Sequence, residues 1–306
     1  MKILIIGAKG NLGSQLVKVF SDFEVIAWDK ESLDVTDKDQ VREKISNLKP
    51  DVIINTASFN AVDKCEEPTG FEMAQKINGE AVGFLADAAL AVNAILVHYS
   101  TDYVFSGDEQ GGYIETDMPA PISKYGESKL MVERILEWYR KIKGLNFVIL
   151  RYFNACGASL DGKMGESHNP ESHIIPNVLS SIKSKKTFLL FGNDYKTPDG
   201  TCVRDYIHVL DLVDAHVLAL SKLDKTDGGF VYNVGTGNGF SNQQIIDKAK
   251  EVTGMDLDVK VVERRPGDAD ILVADVSKIK AELGFMPKYS DLTTIIKSAW
   301  DWENTK

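Results

Sequence analysis

The chain predicts an α/β fold: a doubly wound, Rossmann-like parallel sheet followed by a smaller mixed α/β lobe. Three observations carry this. A short apolar run, Lys2–Ile6, opens straight into a glycine-rich turn. Apolar strand runs then alternate with amphipathic helices through the first half, the pattern of parallel βαβ units. After about residue 151 the rhythm fails, and a polar loop bearing Gly and Pro runs from Ala158 to Pro170.

In order, the first strand runs into Gly7-Ala8-Lys9-Gly10-Asn11-Leu12-Gly13, and a helix is expected from about Asn11 to Phe20. The glycines let the backbone turn tightly and approach a pyrophosphate, whose charge then faces the helix N-terminus. A second strand, Glu24–Trp28, ends at Asp29, which lies 22 residues after Gly7. A carboxylate at that spacing hydrogen-bonds a ribose diol and repels a 2′-phosphate, favouring NAD over NADP. Lys30 beside it works against that preference. A glycine turn that binds nothing would share these residues, but strand, glycines, helix, strand and acid arrive in the order a dinucleotide needs. A helix at 37–47, a strand at 51–55, a helix at 69–92 and a strand at 94–99 continue the series. The turn Thr56-Ala57-Ser58 leaves the carboxyl end of its strand, where an open α/β sheet binds ligand.

Ser100-Thr101-Asp102-Tyr103-Val104-Phe105 places Thr101 at the carboxyl end of the 94–99 strand. A helix from Tyr125 to about Lys143 follows, with apolar Leu130, Val132, Ile135 and Leu136. Tyr125 and Lys129 share one face, one turn apart. A free phenol titrates near about 10. An ammonium about 5 Å away, at an effective dielectric of about 20, favours phenolate by about 3 kcal/mol, or about two pKa units. That suits proton exchange with a sugar hydroxyl, and the Thr101 hydroxyl is placed to orient the same oxygen. Tyr-x-x-x-Lys also arises by chance at helix starts; the nucleotide-binding opening gives it weight here.

The 306 residues carry a net charge of −10, which argues against a nucleic-acid partner because phosphate contacts need a basic patch. No apolar run approaches the roughly 18 residues of a membrane span, and the opening run is too short for a signal-peptide core. Cys65, Cys156 and Cys202 are odd in number with no Cys-x-x-Cys, which suits a reducing cytoplasm and points to no disulfide and no metal. The histidines show no ligand spacing; His168 and His173 sit in a polar loop, solvated or hydrogen-bonded.

In the second half, Arg204 and Arg265 supply fixed cations suited to a diphosphate, and Asn154 an amide for a sugar or phosphate oxygen. Each arginine alone would equally suit a salt bridge. Val209, Leu212, Val213, Val217 and Leu220 repeat at helical spacing and read as scaffold, as does a C-terminal helix at about 291–302 with Trp300 and Trp302.

Taken together, the glycine turn, Asp29, Thr101 and Tyr125-x-x-x-Lys129 resemble the extended short-chain dehydrogenase/reductase superfamily over essentially the whole chain. Within it, Leu33-Asp34-Val35-Thr36-Asp37, Ala61-Val62-Asp63-Lys64 and the Ser100–Phe105 stretch resemble the dTDP-4-dehydrorhamnose reductase family, which reduces a 4-keto nucleotide sugar. From Tyr125 onward the resemblance is to the UDP-glucose 4-epimerase family. It rests on Tyr125–Glu133, Arg151-Tyr152-Phe153-Asn154, Phe191–Tyr195, Pro198–Val209 and Arg265-Pro266-Gly267-Asp268. The two patterns change over near residues 107–121.

This resemblance implies an NAD-binding domain at 1–153, with residues of about 205–235 returning to it, and a lobe at 154–306 that mainly binds a nucleotide sugar. It implies Thr101, Tyr125 and Lys129 as catalytic residues. The implied cofactor contacts are Gly7, Gly10, Asn11, Leu12, Gly13, Asp29, Lys30, Asp34, Val35, Thr56, Ala57, Ser58, Asn78, Ser100, Tyr125, Lys129 and Tyr152. The implied UDP-hexose contacts are Asn60, Thr101, Tyr103, Asn154, His173, Ile174, Phe191, Arg204, Tyr206, Arg265, Asp268 and Leu272. The implied activity is interconversion of UDP-glucose and UDP-galactose through a transient 4-keto sugar with bound NAD, in a homodimer formed through the helices at 69–92 and 123–143. A 4-keto-sugar reductase and a non-catalytic NAD-binding subunit are the alternatives. Asn60, Asp102 and Tyr103 depart from the epimerase pattern on the sugar-facing wall. Leu272 stands where that family sets the width of the sugar pocket, and its small side chain would admit an N-acetyl sugar; it otherwise belongs to the apolar strand run 271–274.

Overall fold

A computed structural model describes residues 1–109, 111–168, 171–223, 228–265 and 267–306. Pro170, which closes the expected polar loop, and Pro266, in the Arg-Pro-Gly-Asp turn, lie outside the described residues. The first half runs β1 (Lys2–Ile6), α1 (Asn11–Val19), β2 (Glu24–Trp28), α2 (Lys38–Leu48), β3 (Val52–Asn55), α3 (Val62–Cys65), α4 (Pro68–Ala74), a π-helical turn (Gln75–Glu80), α5 (Ala81–Val92), β4 (Ile95–Thr101), α6 (Lys124–Lys143) and β5 (Phe147–Tyr152). The second half runs β6 (Asn154–Cys156), α7 (Ile174–Ser184), β7 (Phe188–Phe191), β8 (Val203–His208), α8 (Val209–Leu223), β9 (Gly229–Val234), β10 (Gly239–Ser241), α9 (Asn242–Thr253), β11 (Val259–Val262), β12 (Ile271–Leu272), α10 (Ser277–Leu283) and α11 (Leu292–Thr305).

Six strands form one sheet in the order β2-β1-β3-β4-β5-β9, every neighbouring pair parallel. Helices cover both faces, so β3 and β5 are buried throughout. Alternation along β1 divides its side chains: Ile3 and Ile5 pack against Leu16 of α1, Phe20 at its C-terminal cap, and Val213 and Leu220 of α8, whereas Leu4 and Ile6 face Val41, Ile45, Val82 and Leu85 of α2 and α5. The chain leaves β1 for β2 on one side and reaches β3 on the other. Strand order therefore reverses between β1 and β3, and a crevice opens at their carboxyl ends.

The second half lends α8, β9 and α10 to this sheet, and its other strands and helices form the smaller lobe. There β8 pairs in parallel with β6 and β12 and antiparallel with β10, and β7 pairs with β11. Ile175, Leu179, Ile245, Ile246, Ile295 and Ile296 seal the lobe under α7, α9 and α11. No helix among the described residues is long and apolar enough to cross a membrane.

Two local features place the site. Ser123 caps α6 by accepting from Gly126 N at 3.1 Å, so Tyr125 and Lys129 fall in its first turns, close to β4. The helix expected at 69–92 is interrupted by the π turn, which carries Asn78 inward. Asn78 accepts from Ser58 Oγ at 2.7 Å and Phe59 N at 2.8 Å, and donates to Ser128 Oγ at 3.0 Å. The extra residue in the turn is the cost of tying that amide to the loop after β3 and to α6 at once.

Candidate active site

The crevice is one cleft in two parts. A cavity of about 680 Å³ lies over the carboxyl ends of β1, β2 and β3 and is lined by Gly7, Gly10, Asp29, Lys30, Asp34, Val35, Thr56, Ala57 and Ser58. A second, of about 510 Å³, adjoins it across Lys9, Gly10, Thr56 and Asn60 and is lined by Asn11, Leu12, Gly13, Ser100, Thr101, Tyr125 and Tyr152.

The glycine loop is shaped for close approach. Gly7 has φ 81°, and a Cβ there would meet Thr56 Oγ1 at 2.7 Å. A Cβ on Gly13 would overlap the Gly7 carbonyl oxygen, so α1 and the loop pack against each other only because that residue is glycine. Gly10 is the N-cap of α1 and offers no side chain to its first amides, which leaves the positive end of the helix to a ligand. At the far end Asp29 accepts from Glu31 N and Ser32 N, both at 3.0 Å, and pairs with Lys9. The bond from Lys9, then that from the Ser32 amide, hold its carboxyl at about 2. Lys9 is a site residue that the sequence reading passed over; its place inside the glycine turn was the available signal. Asn78 and Lys129 line neither cavity; the polar atoms of Asn78 are engaged with protein groups, and it positions the loop after β3.

Thr101, Tyr125 and Lys129 do converge at the junction of β4 and α6, but with different chemistry from that expected. Lys129 is fully buried with Nζ 3.8 Å from the centre of the Tyr99 ring, and Nζ has no hydrogen-bond partner among the described residues. Burial lowers its pKa to about 7. Burial also raises Tyr125 well above the ordinary phenol value, and Tyr99, Asp102 and Tyr103 add to the rise. Desolvation outweighs the attraction expected to lower the phenol. Thr101 Oγ1 donates to Asp102 Oδ1 at 3.0 Å and accepts from Tyr103 N at 3.3 Å, so its proton is committed to Asp102 rather than to Tyr125. Ser100 Oγ, Asn11 Oδ1 and Lys129 Nζ are all buried without hydrogen-bond partners among the described residues. These orphaned groups line up with what a dinucleotide brings, amide and ribose hydroxyls, and the residues present fit such a cofactor.

The opposite wall comes from the second lobe, joined by Asn60, Asp102 and Tyr103 from the segments after β3 and β4. Arg204 is buried and pairs with Asp268 Oδ1 at 3.1 Å. Arg265 lies 5.0 Å over the Phe191 ring and 3.8 Å from Asp268 Oδ2. Asn154, His173, Ile174, Tyr206, Asn60 and Tyr103 share this lining. Tyr103 stands edge-on to Tyr125 at 5.7 Å, and Asn60 Oδ1 accepts from Tyr99 Oη at 3.2 Å. Asp102 belongs to the wall as well. It is buried, accepts from Asn154 Nδ2 at 3.1 Å, and is pushed up to about 6 by desolvation, against the pull of Arg204. Two expected contacts fall outside the lining. Phe191 supports Arg265 from behind. Leu272, fully buried on β12 beside Arg204 of β8, belongs to the apolar cluster of Val104, Phe105, Phe153 and Ile207; it is core, because that cluster encloses its side chain.

A β1–glycine turn–α1 crevice closed by a Thr, a Tyr and a Lys on β4 and α6 defines the short-chain dehydrogenase/reductase class. The model of the family described as "RmlD substrate binding domain" matches residues 1–157. A UDP-glucose 4-epimerase of Lactobacillus helveticus is 38% identical, over 100% of this chain and 98% of its own length. Among solved structures, UDP-glucose 4-epimerase from Brucella ovis in complex with NAD superposes with a TM-score of 0.90 at 33% identity, covering 98% of this chain and 97% of that one. The Bifidobacterium longum enzyme in complex with NAD+ and UDP has a TM-score of 0.90 at 26% identity, covering 100% and 98%. The chain belongs to the UDP-glucose 4-epimerase family.

Proposed function

We propose that the protein is an NAD-dependent UDP-hexose 4-epimerase that interconverts UDP-glucose and UDP-galactose. One observation carries the reading. Tyr125 and Thr101 open on the same cavity as Arg204, Arg265 and Asn154, so a proton-transfer group and diphosphate-sized cationic groups share one enclosure beside a dinucleotide crevice. The NAD-bound and UDP-bound relatives support it.

Bound NAD supplies an acceptor and donor of hydride for the sugar C4. The chain does the rest. Gly7, Gly10, Asn11 and the α1 N-terminus hold the pyrophosphate, Asp29 a ribose diol, and Lys129 Nζ the second ribose. Tyr125 takes the proton of the 4-hydroxyl and later returns it. Its phenol is poised for this only once a ligand fills the cleft, and Lys129, given an oxygen to bind, stays charged beside it. Arg204 and Arg265 grip the diphosphate, while Asn60, Tyr103 and Asp102 bound the sugar.

Incubation with UDP-galactose and no added reductant is expected to give UDP-glucose, and denaturation to release NAD. Consumption of NADPH with a dTDP-4-keto sugar, without UDP-hexose interconversion, overturns the reading in favour of the reductase that the 1–157 match also suits. The three buried free thiols support a reducing cytoplasm, and interconversion of UDP-glucose with UDP-galactose is what would place the protein in galactose metabolism. Met73, Trp138 and Ile142 are exposed on α4 and α6, Trp138 at 60% and Ile142 at 72%, which supports a homodimer across these helices. Light scattering at twice the chain mass is the expected result.

A further inference from the structure

Glu166, His168, Glu171 and His173, which precede α7, each offer one donor atom, and the four atoms lie within 4.8 Å of one another. His168 Nδ1 is 3.0 Å from Glu166 Oε1 and 3.5 Å from Glu171 Oε1. His173 Nδ1 meets the same Glu166 oxygen and lies 3.8 Å from the same Glu171 oxygen. Both imidazoles therefore turn the same ring nitrogen towards one pair of carboxylate oxygens. Neighbouring donors around a tetrahedral zinc, with bonds of about 2.0–2.1 Å, stand about 3.3 Å apart, within the span of these separations.

Charge and setting agree. The Glu166 and Glu171 side chains are only 12% and 17% exposed. The two imidazoles already pair with both carboxylates, and a divalent cation at the centre would take the place of the imidazole protons as the counter-charge. The carboxylates' orientation is fixed from behind. Glu171 Oε1 accepts from Ser172 N at 2.9 Å and His173 N at 3.0 Å, and Trp302 Nε1 donates to the Glu166 carbonyl at 2.8 Å. Such outer contacts are what align metal ligands.

We propose that Glu166, His168, Glu171 and His173 form a closed, four-coordinate site for a divalent d-block cation of the zinc type. Two imidazole nitrogens select against the all-oxygen preference of calcium and magnesium. Four protein donors leave no open position for substrate, so the metal is structural. His168 and His173 line both parts of the cleft, and the metal pins this stretch where the two parts meet. The proposal does not depend on the epimerase reading.

The test uses the full chain without an appended histidine tag, stripped with a chelator and titrated with Zn²⁺ alone. One Zn²⁺ per chain is expected, with a melting temperature at least about 3 °C higher when the site is filled. Co²⁺ in its place is expected to give tetrahedral d–d bands and no thiolate charge-transfer band. His168→Ala and Glu171→Gln should each weaken Zn²⁺ binding at least about tenfold. No stoichiometric binding to the unaltered chain, an octahedral or thiolate Co²⁺ spectrum, or undiminished affinity in both variants overturns it.

Discussion

Where the glycine loop meets α1 and β4, polar atoms wait without protein partners; across the cleft, the charged side chains already hold one another. Among the described residues, Asn11 Oδ1 and Ser100 Oγ on the first wall and Lys129 Nζ behind it are buried without hydrogen-bond partners. On the second, Arg204 holds Asp268 and Asn154 holds Asp102, while Arg265 Nε lies 3.8 Å from Asp268 Oδ2 with no hydrogen-bond partner among the described residues. Buried polar groups left open cost about 1–3 kcal/mol each, so a resident ligand that satisfies them stabilises the first wall. The second wall pairs internally and must trade those partners when a diphosphate arrives, which limits affinity and permits release. The difference matches an enzyme that keeps its cofactor and turns over its substrate.

The largest effect should come from the residue standing between the walls. Tyr125→Phe keeps the ring against Tyr103 and removes only the proton carrier. Steady-state UDP-hexose interconversion should fall on the order of a hundredfold or more, with cofactor content unchanged. Near-normal turnover would take Tyr125 out of the chemistry.

Behind the second wall, Leu272 separates lining from core. Leu272→Tyr should overpack the cluster around Phe105 and Phe153 and lower stability by about 1–3 kcal/mol, read as a lower melting temperature. The ratio of rates on plain and N-acetyl UDP-hexoses should not move. A variant that melts normally and changes sugar preference would return Leu272 to the pocket.

Lys129→Met sharpens the contrast from the other side. Burial lowers Lys129 to about 7. The unfolded chain therefore holds this proton more tightly, and stability falls as pH drops from about 10.5 towards about 7. Cofactor-free Lys129→Met should melt a few degrees higher than the unaltered chain near neutral pH, with that pH slope removed, although activity is lost. A lower melting temperature would mean that Lys129 is paired in the folded protein.

Much of this was legible in the sequence because it is local. Strand, glycine turn and acid are adjacent residues under one steric rule, and β1, α1 and β2 formed within a residue of where periodicity placed them. Tyr125 and Lys129 share a helix face by spacing alone. What stayed hidden depends on packing between distant segments. Nothing near Asn78 signals a π turn, since its partners come from the loop after β3 and from α6. The protonation of Tyr125 and Lys129 follows from burial, which spacing does not report. Leu272 carried both readings in one short apolar run, and only its pairing beside Arg204 on β8 decided between them.

The smallest effect tests cofactor choice at the open end of the first wall. Asp29 was expected to exclude a 2′-phosphate by charge. Its carboxylate instead shares Lys9 with Glu31, whose Oε2 is 3.2 Å from Lys9 Nζ, and Lys30 lines the same cavity. Two acids and two lysines nearly cancel there, so discrimination rests more on the diol geometry of Asp29 than on net repulsion. Lys9 is 72% exposed on its side chain, where salt screening keeps such terms below about 1 kcal/mol. Lys9→Ala should accordingly widen the preference for NAD over NADP only several-fold, and less at high salt. Asp29→Ser should narrow it by removing the diol acceptor, largely independently of salt. Competitive binding of the two dinucleotides to cofactor-free protein at two ionic strengths separates the terms. If Lys9→Ala left the ratio unchanged at low salt while Asp29→Ser erased it, Asp29 geometry alone would set the choice; if neither moved it, this end of the cleft would not be where the 2′-position is read.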